Sequence, residues 1–115
     1  MKTALIFGSS GLIGNELLEL ILKDNNYIKI KLFVRSDLTD VNSKIEIIKT
    51  DFNNIENHKD KIVGDDCFFC IGTTRKNTPD KNEYIKTEYN IPVEVAKIAK
   101  SNSINNFIYI SSLGA

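Results

Sequence analysis

Three equally spaced glycines constrain this chain more than any other feature. In FGSSGLIG, Gly8, Gly11 and Gly14 follow the apolar run 3–7 and lead into Ile13, Leu17 and Ile21 at helical spacing. A short apolar run closed by glycine reads as a buried strand, and an i, i+4, i+8 row reads as one face of a helix over 12–23. Each glycine has its own physical use at such a junction. Gly8 lets the chain leave the strand sharply, Gly11 leaves room for close approach to the backbone, and Gly14 lets the helix lie near the sheet. The free N–H groups at the helix start, aided by the helix dipole, favour an anion there.

The alternation continues along the chain. A second strand over 28–34 carries Ile28, Ile30, Leu32 and Val34 and exits at Arg35, and a polar loop covers 37–43. A third strand over 45–48 leads to Thr50, Asp51 and Phe52, and a weak helix is expected over 53–62. A fourth strand over 67–71 lies between Gly64-Asp65-Asp66 and Gly72. The stretch 80–101 is helical in pattern, with Ile91, Val95, Ile98 and Ala99 on one side, and a fifth strand covers 106–111. Pro92 either kinks that long helix or marks its first turn, with 83–89 as an approach segment. Strands alternating with helices predict one α/β domain over 1–115. Its doubly wound parallel sheet has strand order 3-2-1-4-5 and helices on both faces.

Composition narrows the function classes. Fifteen basic residues balance fifteen acidic ones, so no electrostatic footprint for nucleic acid or an anionic membrane is expected. No segment approaches the roughly 20 apolar residues of a membrane helix. The apolar N-terminal run is broken by Gly8-Ser9-Ser10-Gly11 and has no signal-peptide cleavage site, which predicts a cytoplasmic protein. Cys67 and Cys70 share the Cys-x-x-Cys spacing of metal and redox sites. Residues three apart on a strand point to opposite faces, however, so the pair reads as two small buried hydrophobes. His58, the sole histidine, reads as solvated, and no metal site is expected.

A glycine turn between a strand and a helix is the setting in which a dinucleotide pyrophosphate binds. The exit of the second strand follows about 20 residues later, where the adenosine ribose is read. An acidic residue there holds the ribose hydroxyls of NAD, whereas an arginine accommodates a 2′-phosphate. Arg35 with Ser36 therefore points to NADP, with NAD possible, and Asp37 opposes that preference. A flavin or S-adenosylmethionine is the weaker alternative.

FGSSGLIG, Arg35, TDF (50–52), CIGTTRKN (70–77), YIKTEYNIPVEVAKIAK (84–100) and NNFIYISSLGA (105–115) together resemble the atypical extended short-chain dehydrogenases. The nearest branch is the one like the Tat-interacting oxidoreductases, and the resemblance covers nearly the whole chain. It implies that Gly8, Ser10, Gly11, Leu12, Ile13 and Gly14 hold the pyrophosphate and Arg35 the adenosine phosphate. It also implies that Asp51 and Phe52 flank the adenine, and that Cys70, Ile71, Gly72 and Thr73 pass beside the ribose and nicotinamide. Ser112, or less readily Ser111, falls at the family's catalytic serine position. In that family a tyrosine with a lysine four residues later follows the serine, and the pair is expected to be absent here. The chain then reads as the N-terminal part of an oxidoreductase or epimerase-like protein, inactive alone. The alternative is a non-catalytic NADP-sensing or protein-binding module. An exposed patch of Ile85, Tyr89 and Ile98, and an open fifth-strand edge, predict a homodimer through the long helix or that edge.

Overall fold

The computed structural model describes residues 2–8, 12–35, 42–50, 55–70 and 90–110. Its strands are β1 (Lys2–Phe7), β2 (Tyr27–Val34), β3 (Ile45–Lys49), β4 (Asp66–Phe69) and β5 (Asn106–Tyr109). Helix α1 (Leu12–Lys23) follows β1, a 3₁₀ helix (Ile55–Lys61) precedes β4, and helix α2 (Ile91–Ser101) precedes β5. All described strand pairs are parallel, in the order β3-β2-β1-β4-β5. This is the doubly wound arrangement that the sequence predicts.

A central strand covered on both faces needs apolar residues at every position rather than alternate ones. β1 meets that demand, with Ala4, Leu5, Ile6 and Phe7 all without exposure. Ala4 and Ile6 join Leu18, Ile21, Leu32 and Val34 under α1. Leu5 and Phe7 face the other way, into a core with Phe33, Phe69, Val95 and Ile98 under α2. On that second face the aromatic rings form a row across the sheet. Phe33 stacks on Phe7 with centroids 4.2 Å apart, and Phe7 reaches Phe69 at 5.8 Å. Phe69 then stacks on Tyr109, also at 5.8 Å. The in-register pairs Phe7–Phe33, Phe7–Phe69 and Phe69–Tyr109 produce this row.

Two details depart from the sequence reading. In α1, Ile21 is buried and Leu17 packs half-buried on the same core as expected, but Leu18, outside that row, is buried more deeply than Leu17. Ile98 is no part of an exposed patch. It is buried with Ile91, Val95 and Ala99 on the sheet-facing side of α2, because the i, i+4, i+7 positions of that helix meet the sheet. Ile85 and Tyr89 lie outside the described residues. Pro92 falls in the first turn of α2, where a missing N–H breaks no intrahelical bond. The weak helix expected over 53–62 is the 3₁₀ turn, anchored by buried Ile55.

The exit from α2 fixes the approach to β5. The Ser103 N–H donates to the Lys100 carbonyl, and the Ile104 N–H to that of Ala99. These are the paired bonds of a Schellman cap, with Ile104 packed on the core that contains Ile98. Ser103 takes φ = 60° to close it, the left-handed conformation usually left to glycine. Beside it the Asn102 amide donates to the carbonyls of Lys59 (2.9 Å) and Ile62 (2.8 Å), which ties α2 to the 3₁₀ helix.

At the N-terminal end of the sheet a buried carboxylate joins four strands. Asp66 of β4 accepts from the Tyr27 hydroxyl of β2 (2.5 Å), the Asn106 amide of β5 (2.7 Å) and, more distantly, Lys2 of β1 (3.4 Å). Burial alone would push its carboxyl up, but the hydrogen bonds from Tyr27 and Asn106 and the Lys2 charge outweigh it and hold it below the usual range. Burial, then the bond to Asp66, pushes the Tyr27 phenol up to about 12.

Replacing Ser103 by glycine removes the left-handed strain and should raise unfolding free energy by about 1 kcal/mol, a few degrees in melting temperature. A thermal melt of S103G reads it. Asp66→Asn should cost about 1–3 kcal/mol at neutral pH. The lowered Asp66 carboxyl contributes stability fully above its unfolded value near 3.8 and loses it as pH falls through the folded value. Denaturant midpoints between pH 5 and 2 (about the range spanning that titration) should therefore drop more steeply for the native chain than for D66N.

Candidate functional site

The C-terminal ends of the parallel strands form one rim, and backbone bonds extend the ladder just beyond them. The Cys70 N–H donates to the Phe7 carbonyl (2.8 Å), the Thr50 N–H to that of Val34 (2.8 Å) and the Ile110 N–H to that of Phe69 (3.0 Å). Gly8, Arg35, Thr50 and Cys70 thus stand side by side where β1, β2, β3 and β4 end. Gly8 has φ = 92°, a conformation that L side chains rarely adopt, so the chain turns off β1 only because no Cβ is present. Four residues later Leu12 and Ile13 open α1, and the following Gly14 is buried against the sheet.

The strand order reverses here. From β1 the chain moves outward to β2 and β3, then returns to lay β4 on the other side of β1. In open parallel sheets the crevice at such a reversal is where ligands bind. The described residues fit a dinucleotide. The start of α1 lies four residues after Gly8, which leaves the central strand at positive φ, and an exposed arginine, Arg35, leaves the neighbouring strand.

Of the residues expected from the sequence, the structure brings Gly8, Arg35 and Cys70 to this rim and places Leu12, Ile13 and Gly14 in the first turn of α1. Ser10, Gly11, Asp51, Phe52, Ile71, Gly72, Thr73 and Ser112 lie outside the described residues, as do Ser36 and Asp37. Cys70 follows the last residue of β4 rather than lying within the strand. Cys67 and Cys70 are free thiols. Cys67 packs among Phe7, Phe69 and Val95, and burial pushes its thiol up to about 12. Burial raises Cys70 as well, so neither is poised as a thiolate. Among the described residues no three His, Cys, Asp or Glu side chains gather to hold a metal ion. None of the described helices is long and apolar enough to cross a membrane.

A tyrosine with a lysine four residues on does occur once, at Tyr27 and Lys31. Both belong to β2 rather than to a helix, and each is engaged elsewhere. Tyr27 donates to Asp66 at the N-terminal end of the sheet, and Lys31 donates to the carbonyls of Lys61 (3.1 Å) and Val63 (3.0 Å). The spacing therefore makes no catalytic pair at the rim. One rim residue escaped the sequence reading. Lys49 ends β3 opposite Val34, the residue before Arg35. Its signal was only the in-step pairing of two short strands, which a linear reading does not contain.

The fold and the rim together define a dinucleotide-binding α/β protein. A family model described as NAD(P)H-binding matches residues 8–115, and the chain belongs to that family. The mitochondrial protein FMP52 of Debaryomyces hansenii is 33% identical over 98% of this chain and 51% of its own length. The protein HTATIP2 of Rattus norvegicus is 30% identical over 99% of the chain and 48% of its own length. The chain thus spans about half the length of the curated relatives it matches. Among solved structures, a variant of uronate dehydrogenase from Agrobacterium tumefaciens complexed with NAD superposes with a TM-score of 0.81. It is 16% identical, covering 97% of this chain and 41% of that one, which makes it a likeness of fold. The resemblance to the branch of Tat-interacting oxidoreductases, drawn from motifs spread along the sequence, agrees with these relatives.

Proposed function

We propose that this chain is the cofactor-holding part of a short-chain-type oxidoreductase that prefers NADP to NAD. The observation that carries the preference is Arg35, exposed and directly following the last residue of β2, where the adenosine ribose is read. Gly8, Ser10, Gly11, Leu12, Ile13 and Gly14 take the pyrophosphate in this reading, and Asp51 and Phe52 the adenine. Cys70, Ile71, Gly72 and Thr73 line the path to the nicotinamide, with Ser112 as the hydroxyl that meets a substrate oxygen. The bound cofactor would supply hydride exchange with a carbonyl or alcohol. The chain's own part is to hold the pyrophosphate at α1 and to neutralise the adenosine phosphate. No tyrosine–lysine pair stands at the rim among the described residues, so the 115-residue chain by itself is expected to bind without turnover.

A second reading concerns assembly. β5 is an edge of the sheet among the described strands and carries exposed Ile108 and Tyr109, which favours pairing with a second copy through that edge.

Calorimetric titration of the chain should show saturable binding of NADPH tighter than NADH, and Arg35→Met should weaken NADPH by about tenfold. Equal affinity for the two cofactors would remove the NADP preference, and no binding of either would remove the reading itself. Size-exclusion chromatography with light scattering should give twice the chain mass for the native protein and a lower mass for Ile108→Lys. A monomer at every concentration would exclude the edge dimer.

A further inference from the structure

An apolar slot one helix wide runs beside α1, over the α1-side face of β4 and β5. We propose that it seats an amphipathic helix from the length of chain that the curated relatives carry beyond the matched half.

The floor of the slot is set by strand register. Asn106 pairs with Asp66 and Ile108 with Phe68, and the Asn106 amide bonds the Asp66 carboxylate, so these side chains share one face of the sheet. Phe68 packs partly buried on the core beneath α1, which makes that face the α1 side. Ile110, held in the ladder by its N–H bond to the Phe69 carbonyl, turns the same way as Ile108 two residues earlier. Ile108 is 38% exposed, and Phe68 and Ile110 are half-buried. A parallel sheet needs both faces covered. Phe69 and Phe107 meet that need on the α2 side, whereas α1 packs chiefly on β1 and β2.

The wall of the slot is the flank of α1. At about 100° per residue, Leu17 and Leu20 lie roughly 60° and 120° round from the buried line of Gly14, Leu18 and Ile21. In the right-handed crossover that β1–α1–β2 units adopt, that flank faces away from β2 and towards β4. Leu20 is 68% exposed there, the most open large apolar side chain among the described residues. Glu16, Glu19 and Lys23 are exposed on the outer side of the helix, so an occupant lies beside α1 rather than across it.

Width and handedness choose the occupant. Two strand spacings are about 10 Å, close to the distance between packed helices. A helix with apolar residues at i, i+3, i+4 and i+7 sets one side on the floor and its flank against Leu17 and Leu20. Right-handed crossovers that add strands beyond β5 put their helices on the α2 face, so the slot belongs to a helix that crosses back to the α1 side. FMP52 of Debaryomyces hansenii and HTATIP2 of Rattus norvegicus match this chain over 51% and 48% of their lengths, which leaves about half of each to supply it. The edge contact argued above uses the open backbone of β5. This contact uses its face, and Leu20 belongs to the slot alone.

The test co-expresses the tagged 115-residue chain with the half of Debaryomyces hansenii FMP52 outside the match, as a separate polypeptide. The two should co-purify in equimolar amounts. Leu20→Glu and Ile108→Glu should each lower the co-purified amount about tenfold, because a carboxylate under an apolar helix loses its water. Val63→Glu, at an apolar position 47% exposed outside the slot, should leave it unchanged. Melting temperatures of all three variants should stay within a few degrees of native, since each replaced side chain is exposed. No co-purification, or co-purification that survives both slot variants, overturns the proposal. A native chain that is dimeric alone and monomeric as L20E places a second copy in the slot and overturns it as well.

Discussion

The Phe7 ring is the contact on which both the core and the rim depend. It has no exposure, and Phe33 and Phe69 flank it in the row that crosses three central strands. Its burial is worth about 2–3 kcal/mol, an ordinary amount for a core aromatic. Its position gives it more weight than that figure. The same residue's carbonyl accepts the Cys70 N–H, and the next residue is the left-handed Gly8. The stacked rings therefore hold the last residue of β1 in register with both neighbours, and the turn off the strand begins from a fixed point. A ligand cradle made of backbone atoms has no side chains to adjust, so its accuracy is that of the strand supporting it.

Much of this was legible in the residue pattern because the pattern and the packing have the same cause. β1 is apolar at every position because both of its faces are covered, and α2 shows Ile91, Val95, Ile98 and Ala99 at helical spacing because that side meets the sheet. Gly8 was legible for a different reason: a φ of 92° is one that L side chains rarely adopt, so the sequence records the backbone there. What stayed hidden depends on contacts between distant segments. Asp66 follows a glycine and another aspartate and reads as part of a turn, yet it opens β4 and collects donors from three other strands. Ser103 holds a glycine conformation without being glycine, since the cap and the Ile104 contact supply what the backbone resists. In α1 leucine or isoleucine occupies all seven of positions 12, 13, 17, 18, 20, 21 and 22, so the pattern alone does not single out Leu18 over Leu17 as the more deeply buried.

The rim shows how a parallel sheet creates a site from residues far apart in sequence. Gly8, Arg35, Lys49 and Cys70 come from four strands and share no local motif. They meet because all four strands point the same way and the ladder bonds continue one residue past each end. The buried Cys67 thiol acts as a hydrophobe. The elevated Cys67 thiol lies against the aromatic row, where a charge would have no partner.

Asp66 and Cys70 stand at opposite ends of β4, so the carboxylate tie and the rim are separated by roughly 13 Å of strand. Substitutions separated by more than about 10 Å, with no shared partner, usually act independently. A lineage carrying this fold is therefore free to exchange residues at the strand exits, and with them its preference among nucleotides, without loosening the joint that keeps β1, β2, β4 and β5 aligned. Stability gained at the closed end of the sheet becomes a reserve against the destabilising changes that a new specificity brings.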